Sequence, residues 1–68
     1  MTSWKPAVKV SGEPQWNYNA LRFATKEEAM ASARDLMGRW MLVTEYDAHE
    51  SMDPVNYQWD FEKGLVAA

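Results

Sequence analysis

The sequence predicts an α+β domain in which one amphipathic helix lies on one face of a mainly antiparallel sheet, in the order β-β-α-β-β. Three observations predict it: a capped run of helical apolar spacing over residues 26–39, strict apolar/polar alternation over residues 55–62, and short extended segments ahead of the helix separated by turn residues. At 68 residues the chain is read as a single domain, 1–68, of a size that buries only about 60% of its unfolded surface. The absence of cysteine excludes disulfides and thiolate metal sites, so side-chain packing alone has to hold the fold. A composition 47% hydrophobic, with four Trp, three Tyr and two Phe, can supply that packing.

The first segment, "WKPAVKV", sets Val8 and Val10 two apart, as a strand requires. Pro6 lacks an N–H and is expected to confine this strand to an edge or to a late start. "SGEP" then reads as a turn. In "QWNYNALRFA", Trp16 and Tyr18 belong to one alternation and Leu21 and Phe23 to the other. The change of register near Asn19 and Ala20 predicts a bulge there, or a strand that only begins near Ala20.

Thr25 followed three residues later by Glu28 is a T-x-x-E capping box, so the helix should begin at Lys26. Ala29, Met30, Ala33, Leu36, Met37 and Trp40 recur on one helical face, with charged residues elsewhere. Gly38 and the β-branched or aromatic residues beyond it end the helix near Arg39, giving a rod about 21 Å long.

After the helix, "MLVTEYDA" and "VNYQWDFE" both alternate, with a turn at "MDP" and another at "KG". If the two strands form a hairpin that pairs Ala48 with Val55, one face gathers Leu42, Thr44, Tyr46, Tyr57, Trp59 and Phe61. The other presents Glu45, Asp47, Asp60 and Glu62. A single helix about 10 Å wide covers two or three strands, fewer than nine aromatic side chains call for. Either the sheet curls strongly around the helix, or some rings stay at the surface for a partner or a second copy of the chain.

Charge narrows the function classes. The net charge is −3, with six Lys/Arg against four Asp/Glu in residues 1–39 and one Lys against six Asp/Glu in residues 40–68. The acidic second half suits a basic protein partner. Nucleic acid would have to use the first half, where Lys5, Lys9, Arg22, Lys26, Arg34 and Arg39 accompany Trp16 and Tyr18 as stacking rings. Glu27, Glu28 and Asp35 interrupt that surface, and a pI near 4.9 opposes it. The start "MTSWKPAVKV" has no signal-type apolar core and no stretch could span a bilayer, which predicts a cytoplasmic protein without membrane attachment.

His49, the one histidine, lies among Asp47, Glu50 and Asp53. The spacing fits neither H-E-x-x-H nor an EF-hand loop, so these residues are read as a solvated turn with no metal or cofactor. Ser3, Ser11, Ser32 and Ser51 have no G-x-S-x-G context, and three isolated glycines build no phosphate loop. No catalytic residue is assigned and an enzyme is not expected. The expected partner-binding residues are the rings Tyr46, Tyr57 and Trp59 with the carboxylates Glu45, Asp47, Asp60 and Glu62 around them. Self-association through the same face is the structural alternative.

The patterns F-A-T-x-x-E-A over residues 23–29, A-R-D-L-M-x-R-W over 33–40 and E-S-x-x-P-V-N-Y-x-W over 50–59 resemble a family of short, mostly uncharacterised phage and bacterial proteins. The resemblance covers about two thirds of the chain and brings no catalytic or cofactor residues with it. What it implies is a phage-type accessory protein. By analogy of class, such proteins include stoichiometric binders of host machines and inhibitors of host defence, anti-CRISPR proteins among them.

Overall fold

Helix α1 spans Lys26–Arg39, the predicted bounds. In the computed structural model, which describes residues 2–68, Thr25 is the N-cap and its hydroxyl oxygen accepts the Glu28 N–H at 3.2 Å. The helix ends where Trp40 turns extended and donates its N–H to Leu36. Around it run strands β1 (Ser3–Val10), β2 (Asn17–Tyr18), β3 (Val43–Ser51), β4 (Tyr57–Asp60) and β5 (Gly64–Ala67). The α+β class with one helix on a sheet holds, and the strand pairing departs from expectation in three respects.

First, β3 does not fold back on β4. It pairs antiparallel with β1 from Ser3↔Ser51 to Val10↔Val43, and the three-stranded sheet has the order β2-β1-β3. Second, β4 makes a separate hairpin with β5, a strand that alternation does not mark because "GLVA" is short and lies beyond a glycine turn. Third, β1 is the central strand despite Pro6. Trp4 exchanges both main-chain hydrogen bonds with Phe23 at 2.8 Å. The alternation of an antiparallel ladder aims Pro6 to the same side. There β1 has no ladder partner, since β2 pairs only with Ala7 and Val8, so the missing N–H leaves nothing unsatisfied.

The predicted disruption near Asn19 is present. Ala7 faces Tyr18 and Trp4 faces Phe23, so the four residues between Tyr18 and Phe23 answer two on β1, and two extra residues arch away. Arg22 closes this arch, donating from its guanidinium to the carbonyls of Asn19 and Leu21. Its carbonyl receives the N–H groups of Asn56 and Tyr57, which fastens the start of β4 here.

The sheet has two unlike faces. Val8 and Val43 pack with Ala33 of the helix, flanked by Leu36, Met37 and Tyr46. Phe23, Ala29 and Ala48 form a second cluster, against which Trp4, Tyr57 and Trp59 lean. The buried side chains are chiefly Ala and Val, and Phe23 alone of the nine aromatic residues is fully buried. Tyr18, Trp40 and Phe61 are exposed, so one helix leaves rings uncovered. The thin dimension of 16 Å matches two layers, and among the described residues no helix or second sheet lies on the face away from α1.

Candidate functional site

The β4–β5 hairpin holds an exposed apolar group beside the helix, apart from the exposed run of Trp40, Met41 and Leu42 that follows the helix. Asp60 ends β4, and its Oδ1 accepts the N–H groups of Glu62 at 2.8 Å and Lys63 at 3.0 Å. Those two donors hold the Asp60 carboxyl below its ordinary range. Gly64 completes the turn at φ +85°, a conformation that glycine adopts without steric cost. The turn so fixed carries Phe61 at 74% exposure, with Leu65 and Val66 also exposed on β5.

Between this hairpin and the flank of α1 lie two open grooves of about 460 and 540 Å³ that share Asp35, Arg39, Trp59 and Phe61. Leu21, Leu36 and Leu65 extend the apolar lining of the first. Asp35 and Arg39 pair at 3.1 Å across one helical turn, so the helix wall of the first groove is close to neutral, while Arg34 adds a positive charge to that of the second. The hairpin wall carries Asp60 and Glu62 against Lys63, one net negative charge. The arrangement is a shallow apolar trough with carboxylates on one rim, suited to receiving an apolar side chain flanked by basic groups.

The seven residues expected on one hairpin, rings on one face and carboxylates on the other, fall into three places, because β3 pairs with β1 and not with β4. Trp59, Asp60 and Glu62 belong to the hairpin, and Tyr57 begins it. Tyr46 sits under the helix beside Val8 and Val43. Glu45 and Asp47 project from the opposite face of β3, where Lys9 pairs with Glu45 at 3.7 Å. Of the three expected anchors, all are half-buried. The exposed anchor is Phe61, which strand alternation had grouped with Trp59 and Tyr57.

His49 is not in a turn. It lies within β3, opposite Lys5, on the face away from the helix. The Tyr18 hydroxyl is 2.8 Å from its Nδ1, and Asp47 Oδ2 is 3.6 Å from its Nε2. Trp16 meets the imidazole edge-on at 5.1 Å. Lys5 and Lys9 lie over the rings of Tyr18 and Trp16, at 3.9 and 4.8 Å from the ring centroids. This aromatic and basic row joins residues far apart in sequence. Its one advance signal is the pairing of Lys5 and Lys9 with Trp16 and Tyr18 in the nucleic-acid reading of the first half.

Among the described residues, no three His, Cys, Asp or Glu side chains converge as a metal would need. No described helix is long and apolar enough to cross a membrane. The chain matches no known family model, no curated protein and no solved structure.

Proposed function

We propose that this chain is a small non-enzymatic accessory protein of the phage type, acting in the cytoplasm by binding a protein partner stoichiometrically. A host machine or defence system is the class of target. The observation that carries this reading is Phe61: a phenyl ring 74% exposed, held on a turn braced by Asp60, beside an apolar trough. A large exposed ring on a rigid element serves as an anchor for a partner and adds little to the stability of the free chain. Asp60 and Glu62 beside it would orient a basic surface.

The test is capture from bacterial lysate on immobilised wild-type chain and on Phe61→Ser. A protein retained near one-to-one by the wild type and lost by the variant supports the reading. Equal retention by both removes it. Light scattering of the free chain separates the homo-oligomeric alternative, in which Phe61 is covered by a second copy.

A second reading rests on the row of Trp16, His49 and Tyr18 with Lys5 and Lys9, which has the components of a single-strand stacking surface. Glu45 and Asp47 on the same face offset the two lysines. Retained material that is nucleic acid, released between about 50 and 200 mM salt and lost in Tyr18→Ala, would favour it.

A further inference from the structure

We propose that the outer edge of β3 is a separate docking surface, which takes an extended basic segment of a protein partner as a fourth strand of the sheet. β3 runs for nine residues and pairs on one side only, with β1. The direction of its main chain follows from the register. Trp4 spends its main-chain groups on Phe23, so Pro6 and Val8 also face β2, and Lys5, Ala7 and Lys9 face β3. Their partners His49, Asp47 and Glu45 answer them. The N–H and C=O groups of Tyr46, Ala48 and Glu50 therefore point outward. The Ala48 N–H agrees with this assignment, because its acceptor is the Asp47 carboxylate at 2.8 Å and not a β1 carbonyl.

The chemistry of the occupant can be read from β1, which already fills the inner edge. There Lys9 stands opposite Glu45 and pairs with it at 3.7 Å, and Val8 and Pro6 stand opposite Tyr46 and Ala48 on the helix side. The outer edge offers the same side chains to a second neighbour. Asp47 faces Ala7 on β1 and has no Lys or Arg opposite it. Its Oδ1 holds the Ala48 N–H and its Oδ2 lies 3.6 Å from His49 Nε2, so a strand that docks here replaces that carboxylate with its own carbonyl and frees it for a Lys or Arg. A strand laid antiparallel on this edge is best matched by Lys or Arg beside Glu45 and Asp47, with an apolar residue between them over Tyr46. Exposed Leu42 and Met52 lie just beyond the two ends of β3 and extend the apolar contact. A second copy of the chain fits less well, since residues 40–62 contain no Lys or Arg and β3 against itself brings carboxylates together.

The probe is a synthetic peptide of alternating Lys and Val, seven residues long, titrated into the ¹⁵N-labelled full chain. A peptide of equal composition with its lysines in one block serves as control. The expected result is slowed amide exchange at Tyr46, Ala48 and Glu50, affinity at least tenfold above the control peptide, and at least tenfold loss in Asp47→Lys and in Glu50→Pro. Glu50 is exposed and its N–H points outward, so proline blocks the edge without removing a ladder bond. N-methylation of alternate peptide residues tests the same bonds without altering the protein, should that variant misfold. Phe61→Ser should bind the peptide as the wild type does, so this proposal can fail while the trough reading stands, or the reverse. Equal binding of both peptides, survival of affinity after N-methylation, loss in Phe61→Ser, or contacts between two β3 strands in the free chain would each overturn it.

Discussion

The Glu28 carboxylate accepts the main-chain N–H of Trp59 at 2.9 Å, and its other oxygen accepts the Thr25 hydroxyl at 3.0 Å. A capping residue of the helix is thus also the tether of β4. The positive end of the helix favours a carboxylate at this place, and the charge in turn strengthens the bond to Trp59. Glu28→Ala is expected to cost about 1–3 kcal/mol, since it leaves a partly buried N–H without its acceptor and weakens the cap. Glu28→Gln keeps a carbonyl acceptor and should lose about half as much or less. Urea unfolding of the three proteins measures this, and equal losses in the two variants would show that charge, not the tether, is what matters.

That tether marks the boundary of what the sequence discloses. The helix bounds were legible because Thr25, Glu28 and the apolar period from Ala29 to Trp40 act within a few residues of one another. The half-buried face of β4 was legible as well, through Tyr57 and Trp59 alternating with exposed Gln58 and Asp60. What alternation does not encode is the neighbour. β3 fits equally well beside any strand that offers apolar residues on one face, and it chose β1, forty residues away, over β4. Pro6 argued against that choice only while its free side was unknown. The candidate site moved for the same reason: with β4 paired to β5, Phe61 was carried out to a turn and Tyr46 was drawn under the helix.

The ion pair of Arg22 with Asp53 gives the fold a pH dependence. The Arg22 guanidinium, at 2.9 Å, and then the Ser51 hydroxyl, at 3.1 Å, hold the Asp53 carboxyl below its ordinary range. A depressed folded-state value means that the unfolded chain binds the proton more readily. The stability this adds is fully present above the ordinary aspartate range and disappears as the pH falls through the lower folded value. Asp53→Asn should therefore be less stable than wild type at pH 7 and converge with it as the pH falls below the ordinary aspartate range and through the lower folded value. Asp60 shifts in the same direction and is retained in both proteins, so it cancels in the comparison. Urea midpoints at pH 7, 4 and 2 provide the check. Because Asp53 is largely exposed, the gap at pH 7 should shrink in high salt.

Gly64 isolates the cost of one backbone conformation. Its φ is +85°, and a Cβ placed there meets no atom within 4 Å. Gly64→Ala should consequently destabilise by about 1 kcal/mol through backbone preference alone, whereas Gly64→Asn, which tolerates the left-handed region, should cost less. The loss should concentrate in the hairpin, as faster amide exchange at Trp59 and Leu65 with little change in the helix. Uniformly faster exchange would mean that the hairpin and the helix open together, with Glu28 as the coupling.

Phe61 separates binding from folding more cleanly than its neighbour Trp59. Trp59 leans on the Phe23, Ala29 and Ala48 cluster, so its truncation should cost about 2–3 kcal/mol and confound any loss of binding. Phe61 projects from a turn whose geometry is set by Asp60 and Gly64, and Phe61→Ser should leave stability within about 0.5 kcal/mol of wild type. Glu62→Lys completes the dissection, because Glu62 is exposed and its side chain, unlike that of Asp60, does not brace the turn. If carboxylates steer a basic partner to this trough, Glu62→Lys lowers the association rate several-fold at low salt, leaves dissociation nearly unchanged, and loses its effect near 0.5 M salt, roughly where exposed charges are screened. Phe61→Ser should do the opposite and accelerate dissociation. Stopped-flow kinetics on the captured partner distinguish the two. A Glu62→Lys effect confined to dissociation would place that carboxylate inside the contact, desolvated beside Phe61, and not on its rim.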